Sequence, residues 1–253
     1  MRDVFMNIEF DSYKQKLNDC RPALEGLAES LNLEGLKNEL ERLHAMQEAP
    51  GFWDDPEKSQ KIVVKTKQAE GKVEVFEPLT KYYSDYVKGE YAKKVQPGWL
   101  AEPELPAELC KAARAFADTA VVVISRFSKE SYDRTGAPND GDFYLSLAEE
   151  AMVEQVKSAF DKIVVVLNTG GMMDTLWFKD EPKITSSLLA WQPGMVGGLA
   201  IADILCGDAF PSGHLTDTFA VDFDAYPSSE NFNESDLYVE YQEDIYVGYR
   251  YFE

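Results

Sequence analysis

Leucines at helical spacing dominate the first part of the chain. One run steps by three, four and three residues, the spacing of a narrow coiled-coil seam, and a similar stripe precedes it: Leu33, Leu36, Leu40 and Leu43, after Leu17, Leu24, Leu27 and Leu31. The pattern breaks at 49–51, and residues 54–57 have the form of a helix cap followed by proline in the first turn. The spacing predicts helices through most of residues 8–72, folded as an α-helical hairpin.

From about residue 105, short apolar runs alternate with amphipathic segments. Continuous runs of Val, Ile and Leu predict buried strands at 119–125, 162–167 and 187–191. The intervening and following segments predict helices at 106–117, 147–161 and 195–206. This alternation is typical of a parallel sheet covered by helices on both faces. The predicted fold class is α/β, a three-layer α/β sandwich with a mostly parallel sheet, preceded by the helical hairpin. Residues 73–104 are expected to be a connector and residues 208–253 a mostly irregular tail.

Charge narrows the classes of partner. The 253 residues include 45 acidic and 25 basic ones, a formal net charge of -20. Such a chain repels phosphate backbones and anionic lipid, so neither nucleic acid nor a membrane is an expected partner. The apolar runs are too short to cross a bilayer, and the first ten residues do not have the pattern of a secretory signal.

The metal-binding and thiol residues are sparse. Cys20, Cys110 and Cys206 are an odd number at wide spacing, which predicts free thiols in a reducing compartment and hence a cytoplasmic protein. The only histidines are His44 and His214, so a histidine-based metal site is not expected.

Two polar segments directly follow predicted strands, where ligands bind in parallel α/β sheets. Glu130 lies in the first of them, 125–134, and is the candidate catalytic residue, although a loop acid in so acidic a chain is also readily explained as solvated. Asp133 and Arg134 fit a local ion pair as well as a catalytic role. The segment 168–172 lacks the glycine spacing of a phosphate-binding loop, and a turn that passes close to a neighbour explains its glycines better.

Several strings, in order and at matching separations, resemble one enzyme family over about residues 75–253. They are SRFSKESYDR, VVVLNTGG, LLAWQPGMVGGLAIADILCGDAFPSGHLTDT and the closing EDIYVGYRYF. They are similar to the C-terminal α/β sandwich domain of glycoside hydrolase family 3, which includes β-glucosidases. The resemblance implies hydrolysis of O-glycosidic bonds by a retaining mechanism, with a β-glucoside-type carbohydrate as substrate and no cofactor.

In that family the nucleophile is an Asp on a separate (β/α)8 barrel, and the acid/base is a Glu on a sandwich-domain loop. The resemblance aligns that Glu with Glu130, although Lys129 and Ser131 stand where glycines are usual. Neither a barrel nor its nucleophile motif is found in the chain, since such a barrel takes about 250 residues. The first strand of the sandwich domain is not found either, which leaves an open sheet edge and makes self-association an expectation. The chain alone is therefore expected to be inactive.

The N-terminal part has a resemblance of its own. Over about residues 6–74, and above all in PGFWDDPEKSQK at 50–61, the chain is similar to the start of bacterial peptide chain release factor 2. In that family this helical domain makes protein contacts, whereas the loops that read stop codons and release peptide come later and are not found here. From the residues alone, the string predicts a helix start with a buried Trp53.

Three interpretations remain open. The first is a glycosidase sandwich domain, 75–253, attached to a release-factor-like hairpin, 1–74. The second is a protein-interaction module carried on an inert α/β domain. The third is a gene fusion, a mis-assembled reading frame or a deliberate chimera without activity.

Overall fold

The computed structural model describes residues 33–96, 98–128, 134–215, 217–232 and 234–252. The chain divides into two compact units. The first comprises Met1–Tyr82 with Pro193–Ala209, and the second comprises Tyr83–Gln192 with Phe210–Glu253. The predicted hairpin over residues 8–72 is thus described only from Leu33 onward, and the leucine stripe before Leu33 lies outside the described residues.

The described elements alternate helix and strand after residue 105, as the apolar runs predict. In chain order they are α1 (Leu33–Glu48), a 3-10 helix (Phe52–Asp54), α2 (Pro56–Ala92), α3 (Ala107–Phe116), β1 (Thr119–Ser125), α4 (Leu147–Ala159), β2 (Lys162–Asn168), α5 (Leu176–Lys179), β3 (Ile184–Leu189), α6 (Gly197–Cys206), a 3-10 helix (Phe223–Ala225) and α7 (Tyr249–Phe252).

Contacts between α1 and α2 confirm an antiparallel hairpin. Lys37 Nζ lies 2.7 Å from Glu77 Oε1 near the open end, and Gln47 Nε2 donates to Thr66 Oγ1 at 2.5 Å near the turn. Between them a small apolar cluster is buried, formed by Leu43, Ile62 and Ala69 with Leu40 and Phe52 against it. The leucine spacing of α1 therefore serves packing within one chain.

The hairpin differs from the prediction in two ways. Helix α2 does not end near Lys72 but continues to Ala92, so most of the predicted connector at 73–104 is helical. Residues with unbranched or aromatic side chains continue the helix through Pro78. Proline has no amide hydrogen to donate, so the helix loses one backbone hydrogen bond there. The predicted burial of Trp53 is wrong, because its side chain is 71% exposed. Trp53 lies in the short 3-10 helix of the turn, where few residues are available to cover it.

The sheet is parallel, with strand order β1-β2-β3. Strands β1 and β2 pair in continuous register from Thr119 opposite Lys162 to Ser125 opposite Asn168. Strand β3 begins at Ile184, three residues before the predicted start, and a register shift near Ile163 accommodates it. The parallel α/β architecture confirms the predicted fold class.

One face of the sheet carries the core of the second unit. Alternate residues of β1 and β2 point to this face and pack against α3 and α4. The buried residues of this core are Cys110, Val122, Ile124, Leu145, Val153, Val156, Phe160, Ile163, Val165, Leu167 and Met173. On the other face of β1, Val121 and Val123 are 49% and 53% exposed. Strand β1 is therefore buried on one face only, whereas its continuous apolar run predicts that both faces are covered.

The tail after residue 208 is mostly irregular, as predicted, and aromatic rings attach it to the second unit. Phe143 is 2% exposed, and its ring centroid lies 5.4 Å from that of Phe223 and 6.2 Å from that of Tyr226. The Tyr144 hydroxyl accepts a hydrogen bond from the Phe223 amide at 3.2 Å. The tail is thus held by edge-to-face aromatic contacts more than by regular backbone pairing.

Candidate functional site

The loops that leave the three strands gather at the carboxyl edge of the sheet. Because the strands are parallel, residues 126–128, 169–171 and 190–192 emerge at the same edge. This edge contains both polar segments that the sequence singles out. The candidate site is therefore built from three chain segments that are far apart in sequence.

Gly170 is the point of closest approach between these loops. A Cβ added at Gly170 would lie 2.5 Å from the Ser128 Cβ and 2.8 Å from Gln192 Nε2. Any side chain there would require the loop after β1 to move. This confirms the interpretation of 168–172 as a turn that passes close to a neighbour.

Arg126, directly after β1, is the most heavily bonded side chain at this edge. Its Nη1 and Nη2 donate to the two carboxylate oxygens of Glu149 at 2.6 and 2.9 Å. Its Nε donates to the Asp142 carbonyl at 2.7 Å, and Nη2 also reaches the Tyr144 carbonyl at 3.3 Å. The Arg126 and Glu149 side chains are only 5% and 10% exposed. The planar guanidinium thereby fixes the exit of β1 to the segment that precedes α4.

Glu149 has a second structural role, at the start of α4. Its carboxylate accepts from the Ser146 amide at 2.8 Å, while the Ser146 hydroxyl accepts from the Glu149 amide at 3.3 Å. The two residues form a capping box. One carboxylate thus joins the helix start to the end of β1.

Arg134 lies at the other end of the loop after β1. Its Nε is 2.5 Å from Asp142 Oδ1, and its Nη2 donates to the Asp142 carbonyl at 3.0 Å. Burial lowers the pKa of the Arg134 guanidinium from its ordinary value, with the Asp142 carboxylate acting in the opposite direction. The remaining nitrogen, Nη1, is buried, has no hydrogen-bond partner among the described residues and is 3.1 Å from where a Gly171 Cβ would be.

Glu130 and Asp133, the two acidic candidates in this loop, lie outside the described residues, which stop at Ser128 and resume at Arg134. Ser128 approaches Gly170, and Arg134 approaches Gly171. The predicted pairing of Arg134 with Asp133 also lies outside the described residues, and the described partner of Arg134 is Asp142.

Arg126, Glu149 and Asp142 were not among the residues that the sequence nominates. One signal for Glu149 is present in the sequence, because Ser146 followed three residues later by Glu is the pattern of a capping box. No comparable local pattern identifies Arg126 or Asp142. Their partners are 23 and 8 residues away and are brought together only by the fold.

Other polar groups offer no metal site within the described ranges. No group of three or more His, Cys, Asp or Glu side chains there is arranged to hold a metal ion. His44 Nε2 lies 2.9 Å from Glu70 Oε1 in the hairpin. Among the helices of the described part, none has the length and apolar character needed to cross a membrane.

Comparison with known proteins assigns the chain to a family. A family model described as the glycosyl hydrolase family 3 C-terminal domain matches residues 14–249. The chain belongs to this family. The match begins within the N-terminal part and includes the described hairpin.

The relatives of this glycosyl hydrolase family 3 domain include β-glucosidases. The chain is 46% identical over 201 residues to β-glucosidase A of Butyrivibrio fibrisolvens, which covers 72% of this chain and 24% of that protein. It is 38% identical over 183 residues to a β-glucosidase of Ruminococcus albus, covering 70% of this chain and 19% of that protein. The chain therefore spans only about a quarter or less of the length of these relatives.

Solved structures agree with the sequence relatives. A β-glucosidase from Paenibacillus barengoltzii aligns with a TM-score of 0.62 at 35% identity, over 70% of this chain and 20% of that one. β-Glucosidase 3B from Thermotoga neapolitana, solved in complex with glycerol, aligns with a TM-score of 0.60 at 35% identity, over 70% and 26%. The same Thermotoga enzyme in complex with glucose aligns with a TM-score of 0.57.

Proposed function

We propose that this chain supplies the general acid/base carboxylate, Glu130, to a retaining β-glucosidase-like glycoside hydrolase whose nucleophile lies on a barrel outside these 253 residues. In a retaining mechanism, one carboxylate attacks the sugar while the other protonates the departing oxygen and later activates water. The chain would bring the second of these groups. Without the first, it would not hydrolyse a glycoside by itself.

One observation carries this assignment of Glu130. The residues on either side of segment 129–133 lie beside the Gly170–Gly171 turn, since the Ser128 Cβ is 2.5 Å from where a Gly170 Cβ would be and Arg134 Nη1 is 3.1 Å from where a Gly171 Cβ would be. Both flanks are thus at the carboxyl edge of the sheet, where parallel α/β sheets bind ligands. Arg126, before Ser128, donates to the Asp142 carbonyl, and Arg134 holds the Asp142 carboxylate. Family membership and this placement of the flanking residues together support the assignment of Glu130.

The substrate class follows from the relatives. The matched proteins from Butyrivibrio and Ruminococcus are named β-glucosidases, and the Thermotoga structure holds glucose. We therefore propose a β-glucoside-type carbohydrate as substrate once a barrel is supplied. Acid/base and nucleophilic carboxylates suffice for glycoside cleavage, so no cofactor is included in the proposal.

A chimeric enzyme tests the assignment. The matched segment of the Butyrivibrio β-glucosidase A is replaced by that of this chain, and hydrolysis of aryl β-glucosides is measured with good and poor leaving groups. Glu130→Gln should lower kcat/KM for the poor leaving group by about 10²–10⁴-fold and far less for the good one, which departs without a proton. Added azide, which attacks without a general base, should restore turnover of the good substrate.

The matched control is Glu150→Gln, an exposed carboxylate on α4, which should leave both rates unchanged. Full activity of the Glu130→Gln chimera on the poor leaving group would show that another group is the acid. An active wild-type chimera is the condition that makes this comparison valid. If the chain hydrolyses the aryl glucosides without any barrel, the proposal that the nucleophile lies outside these 253 residues is wrong.

We propose a second role for the hairpin, protein contact of the kind made by the start of release factor 2. The supporting observation is the exposure of Trp53, which is 71% exposed at the turn. Its ring packs edge-to-face against that of Phe52, with 4.8 Å between the ring centroids. Tryptophan is enriched among the few residues that dominate the energy of protein–protein binding. The proposal treats residues 1–74 as one part and residues 75–253 as the other, although α2 runs through the boundary.

Co-sedimentation with ribosomes tests this second role. Trp53→Ala should reduce sedimentation, and deletion of residues 1–74 should abolish it. Val64→Ala, another exposed apolar position on the hairpin at 49% exposure, is the control. Equal sedimentation of the wild type, the Trp53→Ala variant and the deletion, or none by the wild type, would contradict ribosome contact.

We also propose a cytoplasmic location. It is supported by the free thiols of Cys110, which is buried, and of Cys206, which is exposed. In the test, cells are lysed in acid to stop thiol exchange, and a thiol reagent is then added. We expect Cys206 to be labelled in every copy of the chain. Protection of Cys206 as a disulfide would contradict it.

A further inference from the structure

Three polar side chains converge on the Gly170–Gly171 turn, and none of the converging atoms has a hydrogen-bond partner among the described residues. The Ser128 hydroxyl oxygen and Gln192 Nε2 lie 2.7 and 2.8 Å from the point that a Gly170 Cβ would occupy. Arg134 Nη1 is buried and lies 3.1 Å from the corresponding point of Gly171. We name Ser128, Arg134 and Gln192 the polar cluster.

The unpaired nitrogen of Arg134 is fixed in direction by its neighbours. Arg134 Nε lies 2.5 Å from the Asp142 carboxylate, and Nη2 donates to the Asp142 carbonyl at 3.0 Å. The guanidinium is planar, so these two contacts also set where Nη1 points. A buried donor that has left water and found no acceptor is unfavourable. An acceptor from outside the described residues would remove that cost, which marks the polar cluster as a place for a ligand.

The backbone that presents Gln192 is strained. Trp191, directly before it, has a φ of 53°, in the left-handed region that bulky residues rarely adopt. Strand β3 ends at Leu189, and the Ala190 amide still donates to the Leu167 carbonyl at 2.8 Å. The chain therefore turns directly after its last contact with β2, and Gln192 reaches the glycine turn as a result. Strain of this kind is concentrated at ligand sites.

Charge indicates which class of ligand fits the polar cluster. Its one cation, Arg134, is already paired with the Asp142 carboxylate, while Ser128 and Gln192 are neutral. The net charge of the whole chain is -20, which opposes the approach of an anion. Hydroxyl and amide groups both donate and accept hydrogen bonds, as the hydroxyls of a sugar do. A neutral, polyhydroxylated ligand therefore fits better than a phosphate or a carboxylate.

We propose that the polar cluster binds hydroxyl groups of the departing sugar of a β-glucoside and so selects the leaving group. This rests on the proposed function, in which Glu130 protonates the departing oxygen. In a retaining mechanism the nucleophile attacks the sugar that is kept, while the acid serves the group that leaves. Ser128 precedes Glu130 by two residues and Arg134 follows it by four, so both belong to the side of the acid.

Titration of the full chain with cellobiose, followed by NMR, tests binding separately from catalysis. The side-chain amide signal of Gln192 should shift at up to about 100 mM cellobiose, with a dissociation constant in the millimolar range, and should stay in place with inorganic phosphate. Gln192→Ala should weaken binding about three- to tenfold, read from the Arg134 side-chain signal, because a hydrogen bond between neutral groups is lost. The control is Gln60→Ala, an exposed glutamine on α2, which should bind like the wild type.

A Gln192 signal that does not move with cellobiose overturns the proposal. So does a signal that moves with phosphate, because the ligand is then an anion. Neither result depends on proton transfer by Glu130. Conversely, a Glu130→Gln chimera that keeps full activity on a poor leaving group refutes the acid assignment and leaves cellobiose binding by the chain unchanged.

Substrate preference of the active chimera with the Butyrivibrio barrel gives a second measurement. Gln192→Ala should lower kcat/KM for cellobiose about three- to tenfold, mainly through a higher KM. The same variant should change kcat/KM for an aryl β-glucoside less than about twofold, because that substrate has no departing sugar. Equal losses on the two substrates would show that Gln192 only supports the loop, and would overturn its role in selecting the leaving group.

Discussion

At the residue scale, the two arginines that flank the candidate segment, Arg126 and Arg134, are held by different partners. Arg126 is almost fully buried and holds Glu149 through two parallel hydrogen bonds, whereas Arg134 is partly exposed and holds Asp142. Both also donate to the Asp142 carbonyl. The positions of both arginines therefore depend on the same backbone group.

Breaking the Arg126 anchor should be costly. Arg126→Met leaves the buried Glu149 carboxylate without its partner, and the free energy of unfolding should fall by about 3–5 kcal/mol. Urea denaturation followed by tryptophan fluorescence measures the change. Lys111→Met, which removes an exposed pair with Glu108, should cost no more than about 1 kcal/mol. Equal losses in the two variants would show that burial does not govern the Arg126 pair.

Gly170 should tolerate no side chain. Gly170→Ala puts a methyl group against the Ser128 Cβ, so the loop after β1 must shift, and stability should fall by about 1–3 kcal/mol. Gly198→Ala is the control, because no atom lies within 4 Å of a Cβ added there and the site is helical. That variant should gain up to about 1 kcal/mol. Urea denaturation of both variants tests the pair, and a stable Gly170→Ala protein would contradict close approach.

At the scale of elements, the hairpin depends on a very small apolar cluster. Leu43 is 3% exposed, while Met46, one turn further along α1, is 36% exposed. Leu43→Ala should therefore cost about 2–5 kcal/mol, whereas Met46→Ala should cost well under half of that. Loss of helical signal at 222 nm during urea titration measures both. A similar cost for the two substitutions would mean that α1 does not bury its leucine face.

The end of α2 is tied to the next segment through an acid with a perturbed pKa. Burial raises the pKa of Glu102 above its ordinary value of 4.5, and the hydrogen bond donated by Tyr83 at 2.7 Å only partly offsets this. The folded state therefore binds this proton more tightly than the unfolded state does. The resulting contribution favours folding at low pH and is lost as the pH rises through the raised pKa.

Replacing Glu102 should reveal that dependence. The stability of the wild type relative to Glu102→Gln should fall as the pH rises from about 4 to about 7, since only the wild type has an ionising group there. The neutral amide can still accept from the Tyr83 hydroxyl. Urea denaturation at several pH values gives the difference directly. A difference that stays constant over this range would contradict a raised pKa.

At the scale of the whole molecule, acidic residues outnumber basic ones by 45 to 25, which gives a formal net charge of -20. Like charges held close together in a folded chain repel one another, and unfolding moves them apart, so this repulsion lowers the free energy of unfolding. Salt screens the interaction between exposed charges and therefore weakens the repulsion.

The stability of the chain should accordingly rise with salt. Raising NaCl from about 0.05 to about 0.5 M should increase the free energy of unfolding, because screening reduces the repulsion among the excess carboxylates. Urea denaturation at both salt concentrations measures the change, with sucrose of equal osmolality as the control. A lower free energy of unfolding at high salt would show that ion pairs, and not net repulsion, dominate the electrostatics of the fold.

Local patterns predicted many of the elements. Short-range apolar periodicity and turn residues predict the strand Thr119–Ser125, the helices near 107 and 147, and the irregular tail. In these segments the local preference for strand or helix agrees with the packing in the fold. The Tyr, Pro and Lys content of 73–104 predicts a connector, whereas α2 continues to Ala92 and Glu77 on it pairs with Lys37 of α1. The apolar run predicts too late a start for β3 because the polar residues Thr185 and Ser186 separate Ile184 from the run that begins after them.

The sequence by itself determined the α/β class, the family resemblance and the loops in which polar residues follow strands, since these depend on neighbouring residues and on spacing. Only the tertiary structure decided that Ser128 and Arg134 lie beside the same glycine turn, that Arg126 pairs with Glu149 and that Trp53 is exposed. Each of these depends on which distant segments come into contact. No local pattern in a chain encodes that, because contact is decided by the packing of all the elements together.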